Sequence, residues 1–166
     1  INQTIKLIRK IINIWNCRER ENHILFAIHS ERFIKYLEPI TEQMSVPFSY
    51  ITYNKKTINY LRSKKLPYIK ISKFGYFIER WTHSDSIIHK FGISDQYDWL
   101  FDIIKNIKPL SVVVVEGNAP HDEIINQICK QLKIQSICIQ QGWSPIVHNG
   151  FRNMSYSKML IWGDGF

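Results

Sequence analysis

The chain has 166 residues, of which 45% are hydrophobic and 22% are charged. This length is sufficient for one domain with a buried core, and the composition excludes a disordered chain. The formal net charge is +8, but the basic residues are spread out without an arginine-rich tract, so nucleic-acid binding is not expected. No apolar run reaches the length of about 20 residues that a membrane span requires.

The first 22 residues have isoleucines and a tryptophan at helical spacing, with lysines and arginines between them. We interpret this segment as an amphipathic helix that packs on its own or a neighbouring domain, with contact to a membrane surface as the alternative. The chain starts at Ile1 and ends at Phe166, directly after an apolar run. We therefore expect residues 23–166 to be one domain of a longer, two-domain protein.

From residue 23 onwards, apolar runs of strand length alternate with segments of helical spacing. Four consecutive valines at 112–115 indicate a central parallel strand that is buried on both faces. The alternation predicts an α/β fold, namely a doubly wound, Rossmann-like parallel sheet with helices on both faces and strand order 3-2-1-4-5-6. The predicted strands are 23–30, 46–53, 66–71, 111–117, 134–140 and 158–163, and the predicted helices are 31–44, 57–65, 94–107 and 120–132.

Two details of the helices are also predicted. Pro39 should bend or interrupt the first helix, whose apolar face is expected to include Leu37 and Ile40. The stretch between residues 72 and 94 is expected to be irregular, with Ser94 as the N-cap of the next helix. The odd number of cysteines and the lack of a CxxC pair argue against disulfides and zinc, so Cys129 and Cys138 are expected to pack in the core.

Polar side chains follow the apolar strands one, four and five of this sheet. Ligands of doubly wound sheets bind beyond the carboxyl ends of the strands, where the strand order reverses. The dinucleotide fingerprint and the Walker phosphate loop are both missing after the first strand, which argues against NAD and P-loop nucleotide binding. The candidate site residues are His29, Arg32, Glu116, Asn118, His121, Gln140, Gln141, Gly142, Trp143 and His148.

Glu116 and His121 are the two candidates for acid–base chemistry. A carboxylate at the mouth of a central strand is partly desolvated, which suits a general base, although Glu116 could instead shape the loop through backbone hydrogen bonds. His121 is followed by two acids at a helix start, which suit the helix dipole and disfavour a bound phosphate. Gly142 suggests a tight turn, and Trp143 could stack on a sugar or pack in the core. The spacing of His83 and His89 does not argue for a metal site.

The runs VVVVEGNAPHDEIINQICKQLKIQSICIQQGWSP, VHNGFRNM and MLIWGDGF resemble the closing half of the N-terminal domain of GT-B enzymes. These are the two-domain glycosyltransferases and the related UDP-N-acetylglucosamine 2-epimerases. SERFIKYLEPITEQM is similar to the T-R-P-E start of the epimerases, in which a helix follows the first strand and includes a proline.

The resemblance places Asn118 where the epimerases have an aspartate and Gln140 where they have a glutamate. Amides cannot act as general acids or bases at ordinary pH, so the differences favour a transferase of surface or capsule polysaccharide over an epimerase. The resemblance implies that this domain holds the acceptor, with both amides bonding sugar hydroxyls. Glu116, His121 or His148 would then deprotonate the acceptor.

The resemblance also implies the partners of such a domain. A nucleotide sugar would be the donor, bound mainly by the protein's own C-terminal domain, with no metal and no further cofactor. The acceptor would be a sugar or glycolipid, and the protein would be cytoplasmic, with peripheral contact to the inner face of the membrane. This domain alone would be inactive. The alternatives are a UDP-sugar 2-epimerase-like enzyme with altered acids, or a non-catalytic binding or scaffold module.

Overall fold

The computed structural model describes residues 22–71, 87–117, 120–140 and 155–161, and it describes the side chains of these residues except 87–96 and 120. Within these ranges the chain forms six strands and four helices. The strands are β1 (Ile24–Ala27), β2 (Phe48–Thr52), β3 (Tyr68–Lys70), β4 (Ser111–Val115), β5 (Gln135–Ile139) and β6 (Lys158–Leu160). The helices are α1 (Glu31–Thr41), α2 (Lys55–Ser63), α3 (Ile87–Ile107) and α4 (Pro120–Leu132).

The six strands form one sheet in the order β3-β2-β1-β4-β5-β6, and every neighbouring pair is parallel. In the middle of the sheet, Phe26 of β1 pairs with Tyr50 of β2 on one side and with Val113 of β4 on the other. All five residues of β4 are buried, as a strand covered on both faces requires. The predicted Rossmann-like architecture and strand order are confirmed.

The sheet separates two apolar cores. On β4, Val112 and Val114 face the core that α3 and α4 cover, whereas Val113 and Val115 face the core that α1 and α2 cover. Each buried valine stabilises the fold by about 1.5–3 kcal/mol relative to an exposed one. Cys129 and Cys138 lie in the first of these cores with free thiols, as predicted, and burial raises the pKa of each to about 12.

The first helix differs from its predicted form. Pro39 lies inside α1, which continues for two further residues and ends at Thr41. The buried stripe is formed by Ile34, Leu37 and Thr41 at spacings of three and four residues. Ile40 lies outside this stripe and is 47% exposed, so its predicted place on the apolar face is wrong.

The third helix begins earlier than predicted. It starts at Ile87, and Ser94 is an internal residue of the helix rather than its N-cap. Serine is a common N-cap residue, which led to the wrong boundary, but such local preferences are weak and are often overridden in a folded domain. Neither α3 nor any shorter helix in the described ranges is long and apolar enough to cross a membrane. The predicted helix at 1–22, apart from residue 22, lies outside the described residues.

Candidate functional site

The strand order reverses between β1 and β4, and the loops that follow these two strands contact each other through side chains. Arg32, in the first turn of α1, pairs with Glu116 at the end of β4. His29, after β1, packs against His121 in the first turn of α4. The structure therefore brings together four of the predicted site residues at the carboxyl edge of the sheet.

The first contact is an ion pair, which we name the charged pair. Arg32 Nη2 lies 3.8 Å from Glu116 Oε1, and the two side chains are 67% and 29% exposed. The Arg32 guanidinium also lies over the Phe33 ring, 4.9 Å from its centroid. Exposed ion pairs contribute only about 0–1 kcal/mol to stability. The charged pair therefore contributes little to the stability of the fold.

The backbone at Glu116 has an unusual conformation. Its φ angle is +67°, in the left-handed region that side chains with a Cβ rarely adopt. Lys65, Lys108 and Lys133 also have positive φ, but they follow α2, α3 and α4, where this conformation commonly ends a helix. Among the described residues, Glu116 is the non-glycine residue of positive φ that follows a strand. Strained residues of this kind are concentrated at functional sites.

Gly117 continues this left-handed turn, with a φ of +66°. A Cβ atom at this position would lie 2.6 Å from Cys138 Sγ and 3.0 Å from the Tyr156 ring. The Tyr156 hydroxyl donates a hydrogen bond to the Gly117 carbonyl at 3.0 Å, and burial raises the pKa of Tyr156, so that it remains a donor. A side chain is thus excluded at residue 117, and the hydrogen bond from Tyr156 stabilises the turn that contains Glu116.

The second contact belongs to a group that we name the histidine cluster: His29, Tyr53, His121 and Asp122. The His29 ring stacks on Tyr53 with centroids 4.4 Å apart and meets His121 edge-on at 4.3 Å. His121 Nε2 lies 3.3 Å from Asp122 Oδ1, and these two side chains are only 16% and 7% exposed. The cluster is therefore largely shielded from water, unlike the charged pair.

Both histidines of the cluster are neutral at neutral pH. Burial lowers the pKa of His121 to about 4. The pKa of His29 lies well below its ordinary value of 6.5, mainly because the ring is buried and to a smaller extent because His121 repels its charged form. Within the described part of the chain, the two buried ring nitrogens of His29 have no hydrogen-bond partner. A neutral imidazole has one donor and one acceptor nitrogen, so His29 has unused bonding capacity.

Gln140 follows β5 at the same edge of the sheet. Its side chain is 2% exposed, its backbone N–H donates to the Leu160 carbonyl at 2.9 Å, and its carbonyl accepts a hydrogen bond from Tyr36 at 3.2 Å. The bond from Tyr36 connects α1 to the end of β5. The predicted hydrogen bond from the Gln140 amide to a sugar remains a prediction.

Five predicted site residues lie outside the described residues: Asn118, Gln141, Gly142, Trp143 and His148. Conversely, three tyrosines that the sequence analysis did not assign to the site contact it: Tyr36, Tyr53 and Tyr156. Tyr53 could have been found, because the predicted order places the end of β2 next to the end of β1. The Tyr36 and Tyr156 contacts depend on side-chain directions that periodicity does not give.

No protein-family model matches the chain, and no curated protein is significantly similar to it. A functional interpretation therefore depends on the fold and on the contacts at the switch point.

Proposed function

We propose that this chain is the acceptor-binding, Rossmann-like domain of a GT-B-type glycosyltransferase that acts in surface or capsule polysaccharide biosynthesis. Parallel sheets of this strand order bind ligands at the carboxyl edge where the order reverses. Four candidate residues meet at that edge. A nucleotide sugar would be bound mainly by a second domain on the other side of the cleft, and the acceptor would lie over the loops after β1 and β4.

The observation that supports this proposal most strongly is the conformation of Glu116. A carboxylate is presented from a left-handed residue at the end of the central strand, over a glycine that tolerates no side chain. Backbone strain of about 1–2 kcal/mol is retained where the surrounding structure requires a particular direction. Arg32 Nη2 lies 3.8 Å from this carboxylate. This arrangement suits a base that must meet a hydroxyl group in a fixed position.

In the proposed reaction, Glu116 accepts the proton of an acceptor hydroxyl while the hydroxyl oxygen attacks the anomeric carbon of the nucleotide sugar. A new carbon–oxygen bond forms, and the bond from that carbon to the phosphate oxygen breaks, so that the nucleotide leaves with its electron pair. Arg32 is a positioning residue for the carboxylate. His121 is the second candidate for the base, since it is neutral at neutral pH.

We further propose a cytoplasmic location, with peripheral contact to the inner face of the membrane, because nucleotide sugars and glycolipid acceptors meet there. The net charge of +8 supports attraction to an anionic surface. Binding of the protein to vesicles with and without anionic lipid would test the membrane contact, and equal binding to both would contradict an electrostatic attachment.

The activity is tested with the full-length protein, a panel of nucleotide sugars and sugar or glycolipid acceptors. The readouts are nucleotide release and a mass increase of the acceptor. Glu116→Gln keeps the size of the side chain but removes its basicity, so kcat should fall by about 10²–10⁴-fold. Glu42→Gln is the matched control, because Glu42 is exposed at the other end of α1.

Three results would overturn parts of this proposal. Unchanged kcat in Glu116→Gln together with a large loss in His121→Asn would transfer the role of base to His121. Formation of the 2-epimer from UDP-N-acetylglucosamine without any acceptor would identify an epimerase. Full activity in both variants would mean that neither residue is the base, and that this domain has only an acceptor-binding or structural role.

A further inference from the structure

The histidine cluster places three metal-binding groups side by side. One ligand atom each from His29, His121 and Asp122 lies within 4.8 Å of the other two. In a tetrahedral zinc site, bonds of about 2.0–2.1 Å place neighbouring ligand atoms about 3.4 Å apart. His121 Nε2 and Asp122 Oδ1, at 3.3 Å, already have this separation. The His29 ligand atom lies within 4.8 Å of the other two, so it would have to approach them for all three to bind one ion.

The state of His29 is a second, independent observation. Its ring nitrogens are buried and have no hydrogen-bond partner among the described residues. Leaving a buried polar group without a partner is unfavourable, and a metal ion would satisfy one of the two nitrogens by accepting its lone pair. A nitrogen of this ring lies within 4.8 Å of the ligand atoms of His121 and Asp122.

We propose that His29, His121 and Asp122 bind one divalent transition-metal ion, with zinc as the best-fitting ion. Two imidazoles and one carboxylate form a ligand set that zinc uses with a fourth position open to water or substrate. This site departs from the metal-free transfer that the resemblance to GT-B enzymes implies, and it does not depend on the proposed transfer activity.

The surroundings of the cluster prepare it for metal binding. The Thr57 hydroxyl donates a hydrogen bond to the His29 carbonyl at 3.1 Å, and the Tyr53 ring stacks on the His29 ring. Both contacts hold His29 in place before any ion arrives.

The experiment uses the full-length protein without a histidine tag, freed of metal with a chelator. Zinc alone is then titrated in competition with a chromophoric chelator. We expect one equivalent to bind, with a rise in the thermal unfolding temperature that follows the zinc concentration. His29→Gln, His121→Gln and Asp122→Asn should each weaken binding by about 100-fold or more, since removing even indirect metal partners costs about 10–100-fold.

Glu123→Gln is the matched control. Glu123 is also an acid in the first turn of α4, but it is outside the proposed ligand set and should leave the zinc affinity unchanged. Lack of zinc binding by the wild type would overturn the proposal. Unchanged zinc affinity in His29→Gln would overturn it as well, because the ion would then be bound elsewhere. An equal loss of affinity in Glu123→Gln would also overturn it, because the ion would then be bound non-specifically by acidic side chains.

A measurement on the wild type alone covers the case in which a variant fails to fold. X-ray absorption at the zinc edge should show two imidazole ligands with bonds of about 2.0–2.1 Å. Substituted cobalt should give the intense visible absorption of a four-coordinate ion. A site with fewer than two imidazoles would contradict the proposal. Zinc binding without transferase activity would contradict the proposed function only, and activity without zinc binding would contradict this inference only.

Discussion

The charged pair and the histidine cluster occupy the same edge of the sheet, yet they differ in almost every physical respect. Arg32 and Glu116 keep their charges in contact with water, whereas the cluster is buried and its two imidazoles are neutral. The charged pair depends on a strained backbone, and the cluster on ring packing and desolvation. One switch point therefore carries both a partly exposed ion pair and, separately, a mostly buried group of imidazoles and a carboxylate.

The largest expected effect comes from the backbone that supports the charged pair. Gly117→Ala should lower the free energy of unfolding by about 3 kcal/mol, because it combines left-handed strain with overpacking against Cys138 and Tyr156. Urea unfolding of the purified protein measures this loss. Cys138→Ala removes the closest atom, so the double variant should lose less than the sum of the single losses. Simple additivity would mean that the sulfur contact is not responsible.

The histidine cluster should respond to acid instead. Between pH 6.5 and about 4, the unfolded chain protonates His121 while the folded chain does not, so stability falls as the pH falls. At pH 5 the loss from His121 should be about 2 kcal/mol relative to pH 7.5, and His29 adds to it in the same direction. Chemical denaturation across this range is the measurement. In His121→Asn the slope should be reduced, and an unchanged slope would show that the acid sensitivity arises elsewhere.

A smaller effect is expected where α1 is joined to the end of β5. Tyr36→Phe removes the hydroxyl that donates to the Gln140 carbonyl, so the free energy of unfolding should fall by about 1 kcal/mol. The same denaturation assay applies, with Tyr68→Phe as a control, because the Tyr68 hydroxyl accepts an exposed hydrogen bond from the Arg62 guanidinium. Equal losses in the two variants would mean that the Gln140 contact adds nothing specific.

The smallest effect on stability should come from the charged pair itself. Arg32→Gln should change the free energy of unfolding by less than about 1 kcal/mol, because the pair is exposed and screened by salt. Transferase turnover should fall much more than stability and recover partly with Arg32→Lys. If stability and turnover fell to the same extent, the charged pair would be a structural contact, and the contrast with the histidine cluster would not hold.

The sheet could be predicted from the sequence because its strands are runs of consecutive apolar residues, which can be recognised without knowledge of the fold. Four adjacent valines require burial on both faces, and alternation with helices requires parallel pairing. The start of α3 was predicted wrongly because Ser94 is a residue type typical of an N-cap, although it lies inside the helix. At the site, the convergence of the loops followed from strand order alone. The ring contact between His29 and His121 did not, because ring orientation depends on Tyr53, which comes from another strand.

The pairing of β1 with β4 also has a kinetic consequence. Ile24 of β1 pairs with Ser111 of β4, and the chain between them is longer than half of the whole sequence. Contacts between residues so distant in sequence form slowly, because the chain must lose the entropy of closing a long loop before these contacts can stabilise it. The two halves of the sheet can each begin to fold from nearer neighbours, but the switch point exists only after they join. During refolding, ring contact between His29 and His121 should therefore appear late, as a marker that the complete domain has assembled.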